Sequence, residues 1–294
     1  MNGEVLLSLA MLADSAYGKS GIRLVKVIRT GDRHELRDLT VAVRFEGDYE
    51  TSYTEGDNRH VLPTDTMKNT VYALAAGELG EPEAFGLRLG RHFLSRNPLL
   101  KNVRVAITDH PWRPLTTGDR AHGHAFMRRG PDTRTAAIDS AHDDVTVIAG
   151  IADLLILKSA HSAFAGFPRD EYTTLPETQD RILATSMTAT WRYRDPDVDF
   201  GSRWQAVRAT LLESFAVHHS LSVQHTLYAM AQAVLEAVAE VSEIKLVMPN
   251  KHHLPVDLSK FGLENRNEIF VATEEPFGLI EATLARDRSA PRRL

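Results

Sequence analysis

The sequence predicts an α+β fold made by internal duplication, and three observations carry that reading. Stretches rich in β-branched residues, Ile22 to Arg29 and Leu36 to Phe45, stand ahead of two stretches of helical periodicity, and further strands follow before residue 140. The same order returns between Val145 and Leu284. In detail, Val103-Arg104-Val105-Ala106-Ile107-Thr108-Asp109-His110 and Ile244-Lys245-Leu246-Val247-Met248-Pro249-Asn250-Lys251-His252 are each an apolar strand ending in a polar, His-bearing turn. A β-β-α-α-β-β unit present twice is the economical interpretation, with its boundary near Ser140 to Asp144 and units at 1–141 and 142–294. No low-complexity tract or long linker separates them, so they are expected to pack as one body.

Taken in order, the first two strands alternate in part and are joined by Thr30-Gly31-Asp32, which reads as a long hairpin. A helix follows at Thr64 to Ala75. Met67, Val71, Leu74 and Ala75 recur at helical spacing, Asp65 is the expected N-cap, and Thr64 stands at the helix mouth. A second helix begins at Pro82, a favoured first-turn residue, and runs to about Arg96 with Phe85, Leu89 and Phe93 on one face. Strands at Val103 to Thr108, Ala125 to Arg129 and Arg134 to Asp139 close the first unit. In the second, Val145 to Lys158 reads as a strand pair, Phe167 to Glu177 leads into a short helix carrying Arg181, and Thr188 to Tyr193 is a strand. The region from Ser202 to about Val241 is helical with a break at His218-His219-Ser220, and Ser222 caps the second piece. Trp204, Val207, Leu211 and Phe215, then Leu227, Ala231, Val234 and Val238, form its apolar face. Ile244 to Met248, Asn267 to Ala272 and Leu279 to Leu284 complete the strands. The apolar run Val5 to Leu12 is too short to cross a membrane and no basic residue precedes it, so it reads as an arm that packs on the protein.

Composition narrows the chemistry. Among 294 residues there are 34 Lys plus Arg against 39 Asp plus Glu, a formal charge of −5, and no cysteine. Disulfides, thiolate metal sites and a cysteine nucleophile are thereby excluded, and without basic runs neither a nucleic acid nor a membrane is an expected partner. Thirteen histidines raise the question of a metal. The pairs His122/His124, His218/His219 and His252/His253 lack a His-Glu-x-x-His pattern, and neighbouring residues diverge on a helix or strand, so no metal is expected. Dinucleotide, P-loop and nucleophile-elbow fingerprints are missing too. The ending Pro291-Arg292-Arg293-Leu294 is not a peroxisomal Ser-Lys-Leu address, and a cytoplasmic location is the default expectation.

Three polar motifs remain, and each has a plain alternative. Tyr17-Gly18-Lys19 could be a solvated strand edge, Thr64-Asp65 a simple cap, and Pro249-Asn250-Lys251-His252-His253 a polar turn. Composition and spacing go no further. Joined in order by Pro63 to Tyr72, Leu157-Lys158-Ser159, Gly166-Phe167, Arg169 to Leu175, Asp180 to Thr185 and Gly278-Leu279-Ile280, however, these motifs closely resemble the urate oxidase (uricase) family over nearly the whole chain.

The resemblance, of bacterial type, implies tandem tunnelling-fold (T-fold) domains with antiparallel sheets and outer helices, assembled as a homotetrameric barrel around a tunnel with active sites between subunits. It also implies oxidation of urate by O₂ to 5-hydroxyisourate and H₂O₂ without metal or organic cofactor. Lys19 and Thr64 resemble the family's catalytic dyad, with His252 as the third, proton-relaying member. For binding, Asp65 would offer its backbone N–H, Phe164 would stack on the purine, Arg181 and Gln224 would clamp its edge, and Val223 and Ile280 would line the site. Asn250, with Thr64, would hold O₂. Two departures are local: Pro63 stands before Thr64, and Ala165 follows Phe164. The implied roles make physical sense, since an arginine fork and an amide both match a planar, acidic purine, and an aromatic face covers one side of it. The competing readings are a T-fold enzyme acting on pterins or GTP, which would anchor its heterocycle with a glutamate, and a silent purine-binding scaffold, which would have lost part of the Lys19, Thr64 and His252 set.

Overall fold

The structure is a computed structural model that describes residues 11–286. Residues 5–10 of the predicted apolar arm and the terminal 287–294 lie outside the described residues. The long N-terminal hairpin forms as expected from β1 (Ala16–Thr30) and β2 (Arg33–Gly47), with Gly31 supplying the left-handed backbone of its turn at φ 60°. A short α1 (Glu50–Thr54) precedes α2 (Thr64–Ala76) and α3 (Pro82–Arg96). Next come β3 (Leu100–Asp109), a small hairpin of β4 (Trp112–Thr117) and β5 (Arg120–Arg128), and β6 (Thr133–Ala141). The second half contains β7 (Val145–Lys158), β8 (Leu183–Tyr193), α4 (Phe200–Val217), α5 (Val223–Ala237) and β9 (Val241–Asn250). It ends with the pair β10 (His253–Pro255) and β11 (Phe270–Ala272), and with β12 (Gly278–Ala285).

Eight of these strands form one antiparallel sheet in the order β1-β2-β3-β6-β7-β8-β9-β12. Helices α2 and α3 lie on the first four strands and α4 and α5 on the last four. Pairing continues from β6 to β7, where Ala141 N–H donates to the Asp144 carbonyl (2.8 Å) and closes a tight turn. Alternation explains the layering. Leu39, Val41, Val43 and Phe45 on β2 and Ile244, Leu246 and Met248 on β9 are buried at every second position beneath the helices. Val25, Leu155, Leu157 and Leu279 lie exposed on strands of the same sheet. The predicted helical faces are the ones buried, from Met67 and Val71 through Phe85, Leu89 and Phe93 to Trp204, Val207 and Leu211. Removing a fully buried side chain such as Trp191 would cost about 3–5 kcal/mol. Helix α3 rides close on β6 because Gly86 and Gly90 leave room there, where a Cβ would collide with Ile138 and Ser140.

Several expected elements differ. Val145 to Lys158 is a single strand, not a pair: β6 pairs along Val145 to Ala152 and β8 along Ile148 to Lys158, the β8 register shifting between Ile151 and Leu154, where Asp153 has φ 60°. The short helix expected to carry Arg181 does not form. Pro168 and Pro176 interrupt that stretch, which is held by a bridge between Phe164 and Thr178. The hairpin partner β4 went unpredicted because its strand is exposed at nearly every position and shows no alternation. Strand β11 is confined to three residues, with Asn267 in a left-handed conformation at φ 66°. Finally, Pro63, not Asp65, is the N-cap of α2.

Candidate active site

Two groups of the predicted residues occur in separate places. The first lies where β1 meets the start of α2. Gly18 allows an unusually close approach of β1 to β2, since a Cβ there would collide with the Val43 carbonyl. Pairing then shifts between Lys19 and Ile22, with Gly21 at φ 67°. Lys19 is half-buried at this bulge. Across from it, Pro63 caps α2 without a side-chain acceptor, and the first helical bond is Met67 N–H to the Pro63 carbonyl (3.2 Å). The N–H groups of Thr64, Asp65 and Thr66 are therefore left open, the condition under which a helix mouth attracts an anion. Asp65 turns away from the capping position to accept from Lys68 and from Asn69 (2.9 Å). Lys68 foremost, with Lys19 contributing through its charge, holds the Asp65 carboxyl below the usual carboxylate range. Among the described residues neither the Lys19 ammonium nor the Thr64 hydroxyl has a hydrogen-bond partner.

The second group surrounds an open cavity of about 340 Å³ lined in part by Phe164, Arg181, Asn250 and His252. Backbone bonds set its wall. Phe164 exchanges N–H to carbonyl bonds with Thr178 (2.8 and 3.0 Å), and Ala163 N–H donates to the Ser220 carbonyl (2.7 Å). Ser162 N–H donates to Asp180 Oδ1 (3.3 Å), tying this wall to the residue just before Arg181. The Phe164 ring stacks on Phe167 at 4.9 Å and 17°, and the Arg181 guanidinium lies 5.2 Å from the Phe164 centroid. Asn250 closes β9 between Thr185 of β8 and Gly278 of β12, and is 9% exposed. Ile280 follows two residues along β12, half-buried. The His252 carbonyl accepts from Thr273 N–H (2.9 Å), which anchors its loop. The Ser220 bridge also brings up the mouth of α5, where Ser222 caps as predicted by accepting from His225 N–H (3.1 Å). There Val223 is buried and Gln224 exposed; neither lines the cavity.

Arg181 is the unusual member of this group. Burial lowers the pKa of its guanidinium, its Nε is buried without a hydrogen-bond partner, and among the described residues no carboxylate pairs with it. A half-buried cation with an unfilled donor fork calls for a planar, acidic acceptor. Residues missed from sequence include Thr178 and Asp180, which hold the Phe164 wall, and Glu177, which accepts from Gly166 N–H (3.3 Å). Asp180 was visible only as the first residue of the Asp180 to Thr185 motif and Glu177 only as the end of the stretch before it, and Thr178 carried no signal. Among the described residues no cluster of His, Asp and Glu is arranged to hold a metal.

A family model described as Uricase matches residues 15–139 and 147–281. The chain belongs to the uricase family. It is 47% identical over 279 residues to the Uricase of Arthrobacter globiformis, covering 95% of this chain and 91% of that protein. Against the Uricase of Dictyostelium discoideum the identity is 37% over 285 residues, with 96% and 99% covered. The crystal structure of uricase from Arthrobacter globiformis superposes with a TM-score of 0.92 at 46% identity, covering 97% of this chain and 98% of that one. A urate oxidase from Bacillus sp. TB-90, at 23% identity and TM-score 0.80 with 93% and 100% covered, shares the fold. The α+β tunnelling fold expected from the sequence is thus the fold of the chain, and as a uricase it is an enzyme, a urate oxidase. Among the described residues no helix is long and apolar enough to cross a membrane.

Proposed function

We propose that this uricase converts urate, O₂ and water to 5-hydroxyisourate and H₂O₂ by proton management and positioning alone, with no resident metal or organic cofactor. The guanidinium of Arg181 beside the Phe164 ring, its buried Nε without a hydrogen-bond partner among the described residues, carries this reading. Phe164 covers one face of the purine, while Arg181 and Gln224 hydrogen-bond its edge, with Val223 and Ile280 filling the remaining wall. Asn250 and Thr64 hold O₂ against the other face. Urate is itself the two-electron reductant, so the protein need only remove its protons and hold the two reactants face to face. Lys19 takes a proton through the Thr64 hydroxyl, His252 links the lysine to solvent, and Asp65 N–H at the open helix mouth supports the anion.

One chain supplies the two groups at different places, because Lys19, Thr64 and Asp65 do not line the cavity of Phe164, Arg181, Asn250 and His252. A homotetramer in which one subunit's clamp meets another's dyad reconciles the separation. In that assembly the units 1–141 and 142–294 act as two domains whose sheets close a barrel, and the enzyme works in the cytoplasm.

The test is loss of urate absorbance with oxygen uptake in chelated buffer. Urate and O₂ should disappear in equal amounts with H₂O₂ released, and Lys19→Met should lose on the order of 10²-fold or more in kcat while still binding urate. Activity that vanishes on chelation and returns with metal would overturn the proposal.

A further inference from the structure

We propose that Tyr17 is a positioning residue for the reaction, a rigid strut that sets the spacing between Lys19 and Thr64. The inference rests on reading those two residues as the proton-moving pair.

The geometry is symmetrical about the pair. Tyr17 precedes Lys19 by two residues on β1, opposite Phe45 as Lys19 is opposite Val43, so both side chains leave the same face of the strand. Its hydroxyl accepts the N–H of Leu62 (3.1 Å), and Leu62 precedes Thr64 by two residues. One side chain thus spans from the strand carrying Lys19 to the segment carrying Thr64. Val61 and Leu62 pack against the core, but the segment has little other hydrogen bonding to hold it. Between Asn58 and Pro63 the other hydrogen bonds among the described residues are local, Val61 N–H to the Asn58 carbonyl (3.1 Å) and Arg59 to Asp57, apart from the helix bond accepted by Pro63. The Leu62 bond is the one that ties it to the sheet.

The strut is itself immobilised. The Tyr17 ring packs edge-on against Phe45 at 5.7 Å and Tyr49 at 5.0 Å, both of them buried. Burial raises the pKa of both phenols, so they remain protonated near neutrality, and Tyr17 serves by geometry and not as a base. Two short tethers of equal offset leave Lys19 and Thr64 little freedom to drift apart. Small misplacements of reacting groups carry large rate penalties, up to about 10²-fold for about 1 Å.

Tyr17→Phe keeps the ring and its packing but removes the acceptor for Leu62 N–H. The expected result is a fall in kcat of about 10-fold. KM, and urate affinity measured without oxygen, should change far less than kcat, within about threefold, because Phe164 and Arg181 lie elsewhere in the chain and only the Asp65 N–H contact is on the displaced segment. Tyr49→Phe, which spares the Leu62 bond, should retain kcat. A role in stability alone would lower the melting temperature and leave the kcat of the folded enzyme intact, which overturns the strut, as does a rise in KM in step with the loss of kcat. Should Tyr17→Phe fail to fold, Leu62→Pro deletes the donor from the other side and is expected to show the same split. Lys19→Met is measured alongside. Loss in Lys19→Met with normal turnover in Tyr17→Phe removes the strut and leaves the dyad; normal turnover in Lys19→Met removes the dyad itself.

Discussion

Arg134 and Arg181 are both largely withdrawn from solvent, and both rest on an aromatic ring, 5.1 Å from Trp204 in one case and 5.2 Å from Phe164 in the other. Their anions differ. Arg134, 12% exposed, donates to the fully buried carboxylate of Glu83 (2.6 Å) and to Glu81, and reaches the Phe200 carbonyl (3.4 Å). It therefore joins β6 to the first turn of α3 and to the start of α4, across the two halves of the chain. Arg181, half-buried, has no carboxylate partner among the described residues and a buried Nε that donates to nothing there. A buried guanidinium needs its acceptors from somewhere. Where the chain supplies them the arginine is a structural joint, and where it does not, the urate held in the proposed clamp would supply the missing partner.

The largest effect should come from breaking the joint. Arg134→Ala strands Glu83 as an unpaired buried carboxylate and should cost about 3–5 kcal/mol, read as a lower urea midpoint, while the folded fraction binds urate normally. Arg181→Ala should behave in the opposite way. Among the described residues no carboxylate loses a partner and only the contact with the Phe164 ring is lost, so stability should move by no more than about 1 kcal/mol, whereas urate affinity should fall on the order of 30- to 100-fold, the worth of about 2–3 kcal/mol of charge-assisted bonds. Arg181→Lys keeps the charge but lacks the fork and should recover only part of that loss. Equilibrium binding under argon reads both variants. If Arg181→Ala unfolds the protein as readily as Arg134→Ala, the distinction between joint and clamp is lost.

The same pair marks how far the sequence could be read. Periodicity is a local property, so the faces of α2 to α5 and the alternation in β2 and β9 were legible, and so was Ser222 as a cap. Ordered motifs exposed Arg181 in its run Asp180-Arg181-Ile182, but not its setting: the expected helix around it does not form. The role of Arg134 was invisible, because Glu81 and Glu83 lie more than 50 residues away and come together only when α3 docks on β6. Tyr17 was hidden for the same reason, its hydroxyl meeting an amide 45 residues on. Asp65 looked like the cap because its side chain is the better acceptor by type, yet Lys68 and Asn69, one helical turn ahead, compete for it successfully and leave the helix mouth open.

The smallest effect is also the one that most finely separates the two arginines, since among the described residues Arg134 is paired with carboxylates and Arg181 is not. Burial pushes the Glu83 carboxyl above its ordinary value of 4.5, and Arg134 lowers it only in part. In the window above 4.5 the folded protein therefore holds a proton on Glu83 that the unfolded chain has released. Stability from this group is greatest at and below the unfolded value and declines as the pH rises through the window. Glu83→Gln has no proton to lose there. Melting curves of the two proteins, taken at falling pH, should draw apart in favour of the wild type as 4.5 is approached, beyond any constant offset from the lost ion pair. An offset that stays constant across the window would mean that Arg134 fully compensates the buried carboxylate, and the joint would then be purely a matter of packing and hydrogen bonds.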